Sequence, residues 1–145
     1  GDPRRSVTIA RRLAGMRDAF AERGIPGPIE VVVEDWKTAT GFVQSQRLLD
    51  EHPELTALIA ATDGVAFGIY QALGERGLRI PADISVVSFD DEDLAELVRP
   101  GLTTARLPYE HMARVGVEML LGERDLAHEL VPMPVIVRDS VRDLR

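Results

Sequence analysis

The sequence predicts an α/β protein with a parallel sheet, and three observations carry that expectation. Four segments repeat apolar residues at a helical period, with short β-type runs between them. The first three of those runs are almost continuously apolar, which is how strands covered on both faces read. Hydrophobic residues make up 45% of the chain but aromatics only 5%, so Val, Ile, Leu and Ala must build the core.

The elements follow in order. A helix is expected over residues 6–23, where Ile9, Leu13, Met16 and Phe20 form one stripe. Gly24 ends it, and Pro26 prevents its resumption. A strand is expected over 29–33. A second helix over 38–51 carries Phe42 and Leu49 inward and stops at His52-Pro53, since the residue before proline is pushed out of the helical region. A strand over 57–61 leads to a third helix over 64–76, with Val65, Ile69, Ala72 and Leu73 inward and Gly77 as its C′ residue. A strand over 85–89 follows. A fourth helix over 109–121 carries Met112, Val115, Met119 and Leu120 and ends at Gly122, and a last β-type run covers 135–141. This alternation is that of a doubly wound domain. Such domains usually open with a strand, whereas this chain opens with a helix; the polar residues 1–5 read as a βα loop, and a strand is expected before them.

Composition excludes several functions. The length, 145 residues, suits one domain with a real core. There is no cysteine, so disulfides, thiolate metal sites and cysteine nucleophiles are out. The net charge of −7 and the scattered basic residues argue against this chain gripping DNA by itself. No apolar run approaches a membrane span or follows the N-terminal arginine pair as a signal peptide would. His52, His111 and His128 lack ligand spacing, so no metal is expected. No G-x-S-x-G elbow, P-loop or strand-linked G-x-G-x-x-G is present, so neither catalytic residues nor a cofactor are expected.

Ligands of open α/β sheets sit beyond the carboxyl ends of the strands. Here those ends are Glu34-Asp35-Trp36, Thr62-Asp63 and Asp90-Asp91. Carboxylates accept from hydroxyl pairs, and an indole stacks on C–H surfaces, so the crevice suits a polyhydroxylated ligand. Each residue also has a plainer reading: Asp63 as a helix cap, Trp36 as a rim residue, and Asp90 and Asp91 as solvated loop acids.

Residues 77–91 resemble a signature of LacI/GalR-type transcriptional regulators, G-x-x-[IV]-P-x-D-[IV]-S-[VI]-[VI]-G-[FY]-D, with Gly77, Pro81, Asp83, Ser85, Phe89 and Asp90 in register. Four further segments agree in order. Arg12 to Met16 resembles the R-x-x-G-aromatic helix, and Ala61 to Gly68 resembles A-N-D-x-x-A-x-G. Pro100 to Thr104 resembles P-x-L-T-T, and Val137 to Ser140 resembles V-x-R-x-S/T.

The resemblance implies a parallel-sheet, three-layer α/β lobe of the periplasmic-binding-protein-like type I fold, incomplete in this chain. Residues 1–102 and 123–145 would be mostly the C-terminal lobe, and 103–122 a crossover belonging to the N-terminal lobe. That crossover helix would expose Met112, Val115, Met119 and Leu120. Carried over by position, Arg12, Trp36, Thr62, Asp63, Asp90 and Tyr109 would surround the effector. Arg12 would clamp it, Trp36 would stack on it, and Asp90 would accept from its hydroxyls. The implied partners are a small-molecule effector such as a sugar, a second copy of the chain, and DNA only through an N-terminal domain not in this sequence. The implied location is the cytoplasm, with no membrane contact. A sugar-binding protein of a transport system, with the same fold, is the alternative. The chain departs from the pattern at Thr62 (usually Asn), at Ser88 (usually Gly) and at Leu107, where sugar-binding members often carry a polar residue.

Overall fold

The computed structural model describes residues 6–33, 35–125 and 131–143. His128 and Glu34 therefore lie outside the described residues, as does the expected loop over 1–5. In chain order the elements are α1 (Val7–Glu22), α2 (Thr38–Glu51), β1 (Ala57–Ile59), α3 (Asp63–Glu75), β2 (Ser85–Asp90), α4 (Asp93–Leu97), β3 (Thr103–Arg106), α5 (Tyr109–Leu120) and β4 (Val135–Ile136). The described strands form one sheet of order β1-β2-β3-β4. The β1–β2 and β2–β3 pairs are parallel, and β4 returns antiparallel to β3. The α/β class and mostly parallel sheet are those expected.

Glycines end three helices in the same way. At Gly77 (φ +68°) the Leu78 amide donates to the Leu73 carbonyl at 3.0 Å and the Gly77 amide to Gly74 at 3.1 Å, the bond pair of a Schellman turn. Gly24 and Gly122 close α1 and α5 with the same pattern.

The core lies on one side of the sheet. Leu58, Ala60 and Val86 point toward Ala66, Ile69 and Leu73 of α3, with Leu49 of α2 behind them. Helices α2 and α3 touch backbone to backbone: a Cβ on Gly68 would overlap the Thr38 carbonyl and Phe42 amide, and one on Gly41 the Val65 carbonyl. Residues 138–140 stitch the sheet from its carboxyl-terminal return. The buried Ser140 hydroxyl donates to the Val86 carbonyl (2.6 Å) and accepts from the Thr103 amide (2.8 Å), and the Val86 amide donates to the Ser140 carbonyl (2.9 Å).

Several expectations are corrected. Residues 29–33 form no strand, and Ile29, Val31 and Val32 are exposed. The cause is a space rather than the sequence. An apolar cavity of about 460 Å³ lies between this run, the α1 stripe and β1. Among the described residues β1 pairs only with β2, and its residues line that cavity together with 29–33. The same space leaves Leu13, Met16 and Phe20 of the stripe partly exposed, with only Ile9 buried. The last run pairs only over Val135–Ile136. Residues 103–106 form β3 beside β2, with Thr103 and Thr104 buried. On α5, Met112 and Leu120 are exposed and Met119 partly so, but Val115 is buried. The five-residue α4 was not expected; it is short, and its single buried apolar residue, Ala95, gives no period to read.

Candidate functional site

The carboxyl ends of β1 and β2 meet the side chain of Arg12 from α1. Its guanidinium donates to the Ala61 carbonyl just past β1 and lies 3.4 Å from Oδ1 of Asp90 at the end of β2. It also stacks 4.3 Å from the centre of the Phe89 ring. The Arg12 and Asp90 side chains are 12% and 13% exposed, so the pair is mostly withdrawn from water yet still reachable. Burial pushes the Asp90 carboxyl above its ordinary range, and Arg12 only partly opposes this.

Tyr109, at the start of α5, is exposed. Partial burial, and after it the nearby Asp90 carboxylate, push its phenol up. The phenol therefore belongs to the same electrostatic neighbourhood. Thr62 is buried and caps α3, its hydroxyl oxygen accepting from the Val65 amide at 3.3 Å. The Trp36 carbonyl passes 3.2 Å from where a Cβ on Gly64 would sit, so the Trp36 backbone lies against the first turn of α3, and the residue as a whole is 45% exposed. Asp63 is fully buried behind these groups, with both carboxylate oxygens engaged by Ser88, Thr104 and the Glu92 amide.

Asp35 is committed locally. Its carboxylate accepts from Thr40, from the Lys37 ammonium and from the Lys37 amide at the start of α2, and these, in that order, hold its pKa down to about 2.

Asp91 turns away from Asp90 and binds two arginines, a role the sequence reading missed. Arg106 Nε donates to Oδ2 at 2.6 Å, and Arg138 Nη1 lies 2.8 Å from Oδ1. The Arg138 contact is an ion pair without hydrogen-bond alignment, because Oδ1 accepts no hydrogen bond. Burial pushes the Asp91 carboxyl up, but the two guanidiniums outweigh it and leave its pKa below the usual value. Asp90 and Asp91 both have positive φ, 117° and 60°, which side-chain-bearing residues rarely adopt. The twist lets adjacent carboxylates serve different neighbours. Both arginines were visible in the sequence, but their meeting depends on β3 lying beside β2 and on the return of 138–140, which no local spacing encodes.

The arrangement can grip a small polar ligand: a guanidinium and a carboxylate side by side, with a phenol near the carboxylate. Among the described residues no cluster of three or more His, Cys, Asp or Glu side chains is placed to hold a metal, and no helix is long and apolar enough to cross a membrane.

Residues 1–141 match the family described as periplasmic binding protein-like domain. The lactose operon repressor of Escherichia coli strain K12 is 34% identical over 142 residues, covering 95% of this chain and 39% of the repressor. The chain belongs to the LacI-type regulators of this family. The lactose operon repressor of Rhizobium radiobacter is 39% identical over 107 residues, 71% of this chain and 95% of that sequence. The ribose operon repressor of Haemophilus influenzae is 32% identical over all of this chain and 45% of the repressor. In structure, the lac repressor bound to ONPG in its repressed state superposes with a TM-score of 0.86 at 33% identity, over 94% of this chain and 42% of that one. The chain thus spans about two fifths of the length of most of these relatives. Its fold is the periplasmic-binding-protein-like core that the motif order implied, and the relatives are transcriptional repressors.

Proposed function

We propose that this chain is the effector-sensing and dimerisation core of a LacI-type transcriptional regulator, reading a sugar or similar small polyhydroxylated molecule. The observation that carries the reading is the Arg12–Asp90 pair at the carboxyl ends of β1 and β2, within a chain whose relatives are operon repressors. Those repressor relatives also favour a regulator over the transport-protein alternative.

In this reading Arg12 and Asp90 trade part of their mutual contact for ligand hydroxyls. Trp36 offers its indole face, Tyr109 its phenol, and Thr62 lines the α3 end of the site. Asp63 supports them from behind. The work is binding, so no catalytic residue, cofactor or metal is invoked. Residues after Arg106 and through the α5 region form a crossover to a second lobe, and the effector sits between the lobes. DNA is read by a separate N-terminal domain, the regulator acts as a homodimer, and it works in the cytoplasm. An effector that binds one lobe arrangement better shifts the population toward it and so changes the placement of the DNA-reading domains.

The test is a thermal-shift screen of the protein, extended to the length of its relatives, against pentoses, hexoses, disaccharides and nucleosides. At least one sugar should raise the melting temperature, and Asp90→Ala should abolish the rise while operator binding persists. A panel without any stabilising sugar, or an undiminished response in Asp90→Ala, overturns the reading.

A further inference from the structure

The Asp90–Asp91 turn has an unusual conformation that something must hold. Two consecutive non-glycine residues at φ 117° and 60° are strained and persist only where the surroundings over-determine them. The bonds that do so converge on one side chain.

Asp63 is the first residue of α3 and has no solvent exposure. A buried carboxylate is costly unless it is well bonded, and here the N-terminal end of the helix dipole and three donors receive it. Oδ1 accepts from the Ser88 hydroxyl on β2 and from the Thr104 hydroxyl on β3 at 2.8 Å. Oδ2 accepts from the Glu92 amide at 2.8 Å, immediately after the turn. Thr104 extends the grip, since the same hydroxyl oxygen accepts from the Asp91 amide at 3.4 Å. The chain of bonds thus runs from the Asp91 amide through Thr104 to Asp63, and from the Glu92 amide to Asp63 directly. Ser88 fixes the strand two residues before Asp90. With no exposed surface and both oxygens engaged, Asp63 is placed to act on a ligand only through these neighbours.

We propose that Asp63 is a positioning residue of the effector site: its buried carboxylate, through Ser88, Thr104 and the Glu92 amide, holds the Asp90–Asp91 turn so that Asp90 faces Arg12 and Asp91 faces Arg106 and Arg138. The proposal rests on the reading of Asp90 as an effector contact, but the turn can be observed without any effector. Ser88 gives the feature its particular character. Its hydroxyl is a third donor, one that ties β2 to the carboxylate.

The experiment is amide hydrogen exchange and one-bond Cα–Hα coupling, by NMR on the isotopically labelled 145-residue chain, in the parent and in Asp63→Asn, Thr104→Val and Ser88→Ala. A positioning role predicts local effects. Thr104→Val should raise exchange at Asp91 at least tenfold and move the Asp91 coupling away from its positive-φ value. Asp63→Asn keeps a single acceptor oxygen, so it should deprotect either Glu92 or the Ser88–Thr104 side at least tenfold. Protection in α2, α3 and β1 should change less than threefold. Ser88→Ala should act in the same direction as Thr104→Val and more weakly. Unaltered couplings and exchange at Asp90–Glu92 in the folded variants would overturn the proposal. So would a uniform loss of protection across the core, the mark of a merely structural residue. Should Asp63→Asn not fold, the Thr104 and Ser88 variants decide alone. Because no ligand is added, failure here is distinct from failure of the effector reading, which the sugar screen decides.

Discussion

Arg12 and Asp90 stand 78 residues apart in sequence, yet Nη2 of the first lies 3.4 Å from Oδ1 of the second. The pair joins α1 to the end of β2 across the open side of the sheet, and it is imperfect: burial leaves the Asp90 carboxyl with a raised pKa despite the arginine. In the proposed effector site, such a pair would exchange part of its mutual contact for ligand hydroxyls.

A stability consequence follows, with a definite sign. A carboxyl whose pKa is higher folded than unfolded contributes stability below its unfolded value, about 3.9, and loses it as pH rises through the folded value. At pH 7 the ionised Asp90 therefore weakens the fold. Asp90→Asn is expected to raise the melting temperature at pH 7, with the gain shrinking to nothing near pH 3. Effector-induced stabilisation should be lost in the same variant. Melting curves at several pH values check both halves, and a variant less stable than the parent at pH 7 would contradict the argument.

Asp91 behaves in the opposite way. Its pKa is lowered, so its contribution is complete above the unfolded value and is lost as pH falls through the folded one. Its side chain is 5% exposed, while Arg106 is 52% and Arg138 16% exposed. Removing the carboxylate strands one well-buried cation and one solvated one, so Asp91→Ala should cost about 2–3 kcal/mol, below the figure for a fully buried pair. Denaturant titration at pH 7 measures this. The difference from the parent should narrow below pH 4.

Much of the fold was legible because its signals are local. The stripes in α1 and α3, the Pro53 stop and the glycine ends of α1, α3 and α5 each depend on residues within one or two turns. The placement of the candidate site residues was legible in part for the same reason: Thr62 follows β1, Asp90 ends β2, and Arg12 lies on a helix with a recognisable pattern. What was not legible depends on contacts between distant segments. Residues 29–33 read as a strand by composition, but a strand requires a neighbour, and the neighbouring space is a cavity. The service of Asp63 and Asp91 to other side chains depends on β3 lying beside β2. Nothing in the spacing of Ser88 and Thr104 announces that one carboxylate lies between them.

The contact between α2 and α3 makes a further prediction. Gly41 and Gly68 face each other's helices so closely that a methyl group would enter backbone atoms, which cannot give way as a flexible side chain could. Gly68→Ala should therefore destabilise by about 1–3 kcal/mol or more, although alanine favours a helix interior by roughly 1 kcal/mol over glycine. Gly74→Ala, in the same helix with open space around its Cβ, is the control and should be neutral or stabilising. Equal melting temperatures for the two variants would mean that the helices do not pack this closely in solution.

The cavity separates leucines that composition alone treats alike. Leu73 of α3 has no exposure and sits in the core cluster, whereas Leu13 of α1 is partly exposed and lines the cavity of about 460 Å³. Truncating a packed leucine removes its transfer energy and leaves a void, typically costing about 2–5 kcal/mol. Truncating one that already borders a void removes fewer contacts, so Leu13→Ala should cost less than about 1.5 kcal/mol and Leu73→Ala at least about 3 kcal/mol. The open apolar lining should also bind a hydrophobic dye such as ANS in the folded parent. Leu13→Arg should reduce that fluorescence while leaving the α2–α3 core protected from hydrogen exchange. If Leu13→Ala proves as costly as Leu73→Ala and the parent binds no dye, then in solution α1 is packed directly on β1 and the cavity is closed.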